Sequence, residues 1–100
     1  MSPLAARRRA PVLVAGADAN RRAALRAELG AALPRRTRFS EADDVSGMLE
    51  RAPSSRMVIL AGGLDDADAG TTMRLLGARH PQLPVICVEE SMPVAAGGRS

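Results

Sequence analysis

The stretch Met57-Val58-Ile59-Leu60-Ala61-Gly62 carries the strongest fold signal in this sequence. Large apolar residues in succession, followed by a glycine turn, are typical of a strand that is buried on both faces of a sheet. Two further runs have the same character, namely Val12-Leu13-Val14 and Val85-Ile86-Cys87-Val88. Helical patterns separate the three runs, and this alternation predicts a parallel α/β sheet.

Three helices are expected, each with a candidate capping residue at its start. Asp18 precedes the first helix and Asp44 the second, while Asp68 or Thr71 begins the third. Apolar residues at helical spacing predict the faces that pack on the sheet. They are Leu25, Leu29 and Leu33 in the first helix, Val45, Met48, Leu49 and Ala52 in the second, and Met73, Leu75 and Leu76 in the third. Thr37-Arg38-Phe39-Ser40 predicts a short edge strand, because only one of its side chains is large and apolar.

Composition excludes several classes of protein. The chain has 100 residues, enough for one domain, and all 14 of its basic residues are arginine. The absence of lysine excludes a P-loop and a Schiff-base lysine. The sequence contains no run of 18 apolar residues, so no membrane span is predicted. Residues 1–10 lack the apolar core of a signal peptide, and a cytoplasmic protein is therefore expected. The single cysteine, Cys87, lies within a strand pattern and is expected to be a small buried side chain.

Charge is unevenly distributed along the chain. Residues 1–40 contain nine arginines and two acidic residues, whereas residues 41–100 contain five arginines and nine acidic residues. Arg7, Arg8 and Arg9 lie in a basic arm, residues 1–10, before the first predicted strand. Such an arm can contact nucleic acid through counterion release. A solvated leader without a partner is the alternative interpretation.

Several segments resemble the receiver domain of bacterial response regulators. Ser40-Glu41-Ala42-Asp43-Asp44 resembles the start of that family's second helix, and residues 75–86, with Ala78-Arg79-His80-Pro81, resemble its third helix and fourth strand. Asp68-Ala69 stands where the family has an Asp-Gly pair. The resemblance implies a flavodoxin-like (CheY-like) α/β fold of three layers with a parallel sheet of order 2-1-3-4.

The resemblance also implies a domain organisation. It covers about residues 11–90, and residues 91–100 are then expected to be a flexible tail or linker. The family's last strand and the helices that flank it are missing from this match. Val85, Ile86, Cys87 and Val88 would therefore form a sheet edge without a neighbouring strand. Such an edge predicts self-association or the binding of a protein partner.

The positions that take part in phosphoryl transfer in this family correspond here to residues that lack the required functional groups. Its two metal-binding acids correspond to Ala15 and Gly16, its phosphoacceptor aspartate to Ala61 (or Gly62 if the loop shifts by one), and its switch threonine or serine to Glu89. Phosphoryl transfer of this type needs a nucleophilic carboxylate and a metal ion. The resemblance therefore implies a pseudo-receiver: a non-enzymatic regulatory and protein-interaction module of bacterial two-component signalling, without metal or cofactor.

Two other functions remain open from the sequence. Gly16 and Gly62-Gly63 could let a phosphate or nucleotide approach the backbone in a small flavodoxin-like ligand-binding domain, although turns need glycine as well. Nucleic-acid contact through the basic arm is the other function that remains open.

Asp66-Ala67-Asp68-Ala69-Gly70 resembles the start of a calcium loop, but its glycine comes at position five and no glutamate follows at the required distance. These acids are therefore interpreted as loop and helix-start charges.

Overall fold

The computed structural model describes residues 10–88. The elements in chain order are β1 (Val12–Ala15), α1 (Ala19–Ala32), β2 (Phe39–Ala42), α2 (Val45–Arg51), a 3-10 helix (Ala52–Ser54), β3 (Met57–Ala61), α3 (Ala69–Arg79) and β4 (Val85–Val88). The predictions for Arg7, Arg8 and Arg9, for Glu89 and for residues 91–100 lie outside the described residues. Strands and helices alternate within the described range, as the apolar pattern predicts.

The four strands form one parallel sheet in the order β2-β1-β3-β4. This order confirms the predicted α/β, flavodoxin-like architecture. Parallel neighbours need a crossover, and α1, α2 and α3 supply one each. Across the sheet, Val14 lies beside Ile59, and Ile59 lies beside Ile86. Because paired residues in parallel strands point to the same face, this register sorts the side chains of all four strands into two sets.

The two faces of the sheet are covered differently. On one face, side chains of α2 and α3, including Met48 and Leu76, form the main core with strand residues such as Leu13 and Leu60. On the opposite face, α1 packs against β1 and β3. All four residues of β1 are fully buried. The centre of the sheet is therefore shielded on both sides, as predicted for the runs at 12–14 and 57–60.

Strand β4 departs from the prediction of burial on both faces. Ile86 is 48% exposed, and Cys87 and Val88 are half-buried. The reason is geometric: α1 lies over β1 and β3, and no other element formed by residues 10–88 covers Ile86 on that face. Cys87 points to the opposite face, where it packs against the main core.

The inward face of α3 also differs from the prediction. Met73 is 40% exposed, whereas Thr72 and Leu76 are fully buried one turn apart. Thr72 can be buried because its hydroxyl donates to the backbone carbonyl of Asp68 at 2.8 Å. Leu75 is half-buried beside them. The prediction of Met73 as an inward residue is therefore wrong, and threonine takes the buried position instead.

The predicted edge strand at 37–40 is displaced by two residues. Its ladder with β1 pairs Val12 with Phe39 and Ala15 with Ala42. Pairing with β1 decides where the strand begins and ends, so β2 spans Phe39–Ala42. Its position at the edge of the sheet is confirmed.

The helix starts follow the predicted caps. Asp18, Asp44 and Asp68 are the N-caps of α1, α2 and α3, and each side chain accepts a backbone N–H from the first turn of its helix. Thr71 lies inside α3. No helix formed by residues 10–88 combines the length and the hydropathy that crossing a lipid bilayer requires.

Candidate functional site

The carboxyl edge of the sheet is the expected position of a site in this fold. It is formed by the loops after β1, β2 and β3, which are residues 16–18, 43–44 and 62–68. Ala15 and Ala61 end their strands here, and both are buried. Their methyl side chains provide neither a nucleophile nor a metal ligand.

Gly16 lies in tight contact with the end of β3. A Cβ atom placed on Gly16 would lie 2.7 Å from the carbonyl oxygen of Ala61 and 3.1 Å from the Ala61 Cβ. Real Cβ atoms essentially never come within 3.0 Å of another heavy atom in this way. The close approach of the two loops therefore requires glycine at this position. Any side chain on residue 16, a carboxylate included, would have to push the loops apart.

Backbone hydrogen bonds join the loops of the carboxyl edge. Four N–H groups donate to carbonyl oxygens at 2.7–3.0 Å: Gly16 to Ala42, Ala17 to Gly63, Leu64 to Ala67, and Asp65 to Asp43. A phosphate-binding loop uses N–H groups of this kind as donors to the ligand. Here the chain's own carbonyls accept from them, so these four give no support to the ligand-binding alternative. Gly62, with φ +81°, makes the turn that leaves β3.

The aspartates that resemble a calcium loop serve two different helices. Asp66 Oδ1 accepts from the N–H of Val45 at 3.0 Å, and Asp68 Oδ1 accepts from the N–H of Thr71 at 2.7 Å. The backbone N–H of Thr71 holds the pKa of Asp68 below its usual value. Among the described residues, no group of three or more His, Cys, Asp or Glu side chains could hold a metal ion together. Helix capping thus accounts for both aspartates.

An arginine–glutamate cluster lies beside the carboxyl end of β1. Arg22 Nε donates to Glu41 Oε1 at 2.9 Å, and Arg26 NH1 donates to Glu41 Oε2 at 2.7 Å. Arg22 NH1 also donates to the carbonyl oxygen of Gly16. The Arg22 side chain is only 13% exposed. A fixed positive charge therefore lies within one residue of the position where a receiver would place its metal-binding acids.

This cluster follows from the register of β2 on β1. Glu41 is paired with Val14, so its side chain points to the α1 face of the sheet. Arg22 and Arg26 are one turn apart on α1 and meet the two oxygens of the same carboxylate. The hydrogen bond from Arg22, followed by the one from Arg26, holds the pKa of Glu41 below its usual value. Arg26 also lies over the ring of Phe39, 5.6 Å from its centroid.

The strand β4, predicted as an interaction edge, pairs with β3 through Val85, Ile86, Cys87 and Val88. No other described strand pairs with its outer side. Arg21 NH2 reaches across from α1 and donates to the carbonyl oxygen of Val88 at 3.1 Å. The exposed Ile86 side chain lies on the same face as α1.

Comparisons of this chain with known protein families, with curated proteins and with solved structures found no match. The resemblance to receiver domains therefore stays a prediction, and the sheet order is the part of it that the structure bears out.

Proposed function

We propose that this chain is a receiver-like regulatory module of the bacterial cytoplasm that acts through protein contacts and takes up no phosphate. The observation that supports the proposal most directly is the contact between Gly16 and Ala61. A Cβ on Gly16 would lie 2.7 Å from the Ala61 carbonyl oxygen. At Gly16, one of the positions where phosphoryl chemistry would need a carboxylate, the space for a side chain is occupied by the backbone of Ala61.

The charges at the same edge also disfavour a bound metal ion. A divalent cation such as Mg²⁺ is held in proteins by oxygen ligands that usually include one or two carboxylates. Ala15, Gly16 and Ala61 supply no carboxylate, and the Gly16 carbonyl already accepts from the Arg22 guanidinium. A cation at this position would be repelled by that guanidinium. Without a bound metal ion and a nucleophilic carboxylate, the residues at these positions have no means of phosphoryl transfer.

Acetyl phosphate with Mg²⁺ tests this part of the proposal. We expect the intact mass of the protein to stay unchanged, while an active receiver domain treated in parallel gains a phosphoryl group. The variant Ala61→Asp restores a nucleophile without the metal-binding acids and is expected to remain unmodified as well. An acid-labile phosphoryl adduct on the wild-type chain would contradict the proposal.

For the contact surface, we propose the outer edge of β4, with a second copy of this chain as the partner. Exposed edge strands have unpaired backbone groups that favour pairing with another strand. The opposite edge, β2, is less suited, because Glu41 and its two arginine partners lie along it. Two β4 edges related by a two-fold axis can pair antiparallel, which also brings the two exposed Ile86 side chains towards each other.

Sedimentation across a wide concentration range tests this contact. Ile86→Lys places a charge on the proposed interface, and burying an unpaired charge is strongly unfavourable. Met73→Lys is the matched control, because Met73 is the other exposed large apolar side chain among residues 10–88 and lies on α3. We expect the wild type and Met73→Lys to form dimers and Ile86→Lys to remain monomeric. A wild type that is monomeric at high micromolar concentration, with the β4 amides protected from hydrogen exchange, would refute the self-pairing of β4.

A further inference from the structure

The amino edge of the sheet carries a concentration of arginines. In a parallel sheet with antiparallel crossover helices, the strand starts and the helix ends lie together at this edge. Six arginines occupy those places, and we call them the arginine edge: Arg35, Arg36, Arg38, Arg51, Arg56 and Arg79. Arg35 and Arg36 follow α1, Arg38 and Arg56 precede β2 and β3, and Arg51 and Arg79 end α2 and α3. All are exposed except Arg56, which is half-buried.

Few of the described acidic residues lie at this edge. The six described aspartates, Asp18, Asp43, Asp44, Asp65, Asp66 and Asp68, all lie in the loops of the carboxyl edge, at the other end of the strands. In the second halves of the helices, Glu28 and Glu50 are the described acids. Glu50 is near Arg51, with Oε1 3.7 Å from NH1, but both side chains are largely exposed and such a pair is weak.

Helix capping does not account for the whole set. A positive side chain in the last helical turn is favoured by the helix dipole, which explains Arg51 and Arg79. Arg35, Arg36 and Arg38 lie in the connection between α1 and β2, and Arg56 lies just before β3. These four are outside the helices, where the helix dipole does not favour them. Arg38 and Arg56 take part in other interactions of the chain, so Arg35 and Arg36 are the two whose position at this edge needs another explanation.

The surface between two of these arginines is concave. A pocket of about 270 Å³ lies at the amino edge, with Ala52 and Pro53 on one side and His80, Pro81, Gln82 and Leu83 on the other. Arg51 directly precedes one wall and Arg79 directly precedes the other. The Arg51 guanidinium is turned back along α2, where NH1 donates to the carbonyl oxygen of Gly47 at 3.3 Å, so Arg79 is the arginine of this pair that is a candidate for contact with a ligand in the pocket.

We propose that the arginine edge binds the sugar–phosphate backbone of duplex DNA. Guanidinium groups pair with phosphate oxygens in a planar, bidentate geometry. Arginines on several separate loops match a ligand whose charges repeat along its length. Phe39 is the chain's single Phe, Tyr or Trp residue, and it is covered by Arg26. The arginine edge therefore has no Phe, Tyr or Trp ring on which unpaired bases could stack, which favours a duplex over a single strand.

The acidic carboxyl edge of a second copy is the rival partner for this surface. It is the weaker candidate, because most of its aspartates are already engaged. Asp18, Asp44, Asp66 and Asp68 each accept hydrogen bonds from helix-start N–H groups of their own chain. Phosphates have no such internal partners. The basic arm joins the described chain at the same edge, since the Pro11 carbonyl accepts from the N–H of Arg56 at 3.0 Å.

Fluorescence anisotropy with a labelled duplex of about 20 base pairs and random sequence tests the proposal, at salt concentrations from about 50 to 200 mM. We expect binding that weakens steeply with salt, with the slope of log K on log salt smaller by about 0.9 for each phosphate contact removed. Arg79→Gln and the double variant Arg35→Gln/Arg36→Gln are expected to bind more weakly and with smaller slopes. Arg74→Gln is the matched control, because it makes the same charge change on the same helix, away from the edge.

Several results would overturn the proposal. One is the absence of binding by the wild type at about 50 mM salt. Another is equal weakening of DNA binding by Arg74→Gln and Arg79→Gln, because the loss would then come from the change in net charge alone. If Arg7→Gln/Arg8→Gln/Arg9→Gln abolishes binding while the edge variants bind as wild type, the arm alone is the site. Salt-sensitive self-association that is lost in Arg35→Gln/Arg36→Gln, without DNA binding, would assign the edge to a second copy.

Discussion

The substitution Gly16→Ala tests the structural basis of the closed carboxyl edge. The new methyl group would lie 2.7 Å from the Ala61 carbonyl oxygen, whereas ordinary contacts begin at 3.4 Å. The two loops would have to separate by about 0.7 Å to accept it. The obstacle is backbone, and it is held by the hydrogen bond between Ala17 N and Gly63 O at 3.0 Å. A flexible side chain cannot simply rotate out of the way.

The expected cost is that of overpacking a well-packed interior, about 1–3 kcal/mol. Gly77→Ala is the matched control, because Gly77 lies within α3 and a Cβ there meets nothing within 4 Å. Replacing an exposed helical glycine by alanine is expected to stabilise the protein by about 0.5–1 kcal/mol. The same chemical change thus has opposite signs at the two sites, and the two variants should differ by about 1.5–4 kcal/mol.

Urea denaturation followed by helical circular dichroism measures both variants, since the chain has no tryptophan or tyrosine to report by fluorescence. With a slope of about 1 kcal/mol per molar urea for a chain of this size, the midpoints should be about 1.5–4 M apart. Gly16→Ala at or above the stability of the wild type would refute the close approach of β1 and β3. The carboxyl edge would then have room for side chains, and its geometry would no longer disfavour a phosphorylation site there.

Two further predictions concern the carboxylates of the fold. Glu41→Gln is expected to lower stability by about 1 kcal/mol at neutral pH, because it removes the charge that holds Arg22 and Arg26. The pKa of Glu41 is lower in the folded chain than its ordinary 4.5, so its contribution is present above pH 4.5 and is lost as the pH falls through the lowered folded value. Urea midpoints measured over a pH series should therefore converge for wild type and variant in acid, and a constant difference down to low pH would contradict this. Asp44→Ala is expected to cost about 1 kcal/mol, because its side chain accepts from the Gly47 N–H at 2.8 Å. Asp43→Ala, one residue earlier and exposed, should change stability by less than about 0.5 kcal/mol, and equal losses in the two variants would refute the cap.

Local signals in the sequence predicted most of the fold. The three apolar runs became β1, β3 and β4, and the aspartates before each helix became its N-cap. Both kinds of signal depend on residues within one or two turns of each other. The boundaries of β2 depend on residues that are far apart in the sequence, because the ladder with β1 determines them. The exposure of Ile86 was missed for a similar reason, since it depends on how far α1 reaches across the sheet.

The candidate site was predictable in position but not in its internal contacts. Strand ends identify Ala15, Gly16 and Ala61 as the residues of the carboxyl edge. The distance between the Gly16 and Ala61 backbones depends on how the loops close, and no local pattern encodes it. The Arg22–Glu41 pair joins residues 19 positions apart. Only the register of β2 on β1 shows that the Glu41 side chain faces α1, so sequence spacing alone gave no signal for this cluster.

The separation of charge between the two edges follows partly from the topology. Every helix begins at the carboxyl edge, where aspartate caps are favoured, and ends at the amino edge, where arginine is favoured. Topology alone would therefore place aspartates at one end and Arg51 and Arg79 at the other. It does not require Arg35, Arg36, Arg38 or Arg56 in the connections. If Arg35 and Arg36 contributed only to solubility, glutamines there would leave every interaction of the protein unchanged. The salt dependence of DNA binding distinguishes this explanation from a binding role, because a surface that makes no phosphate contacts adds nothing to the slope.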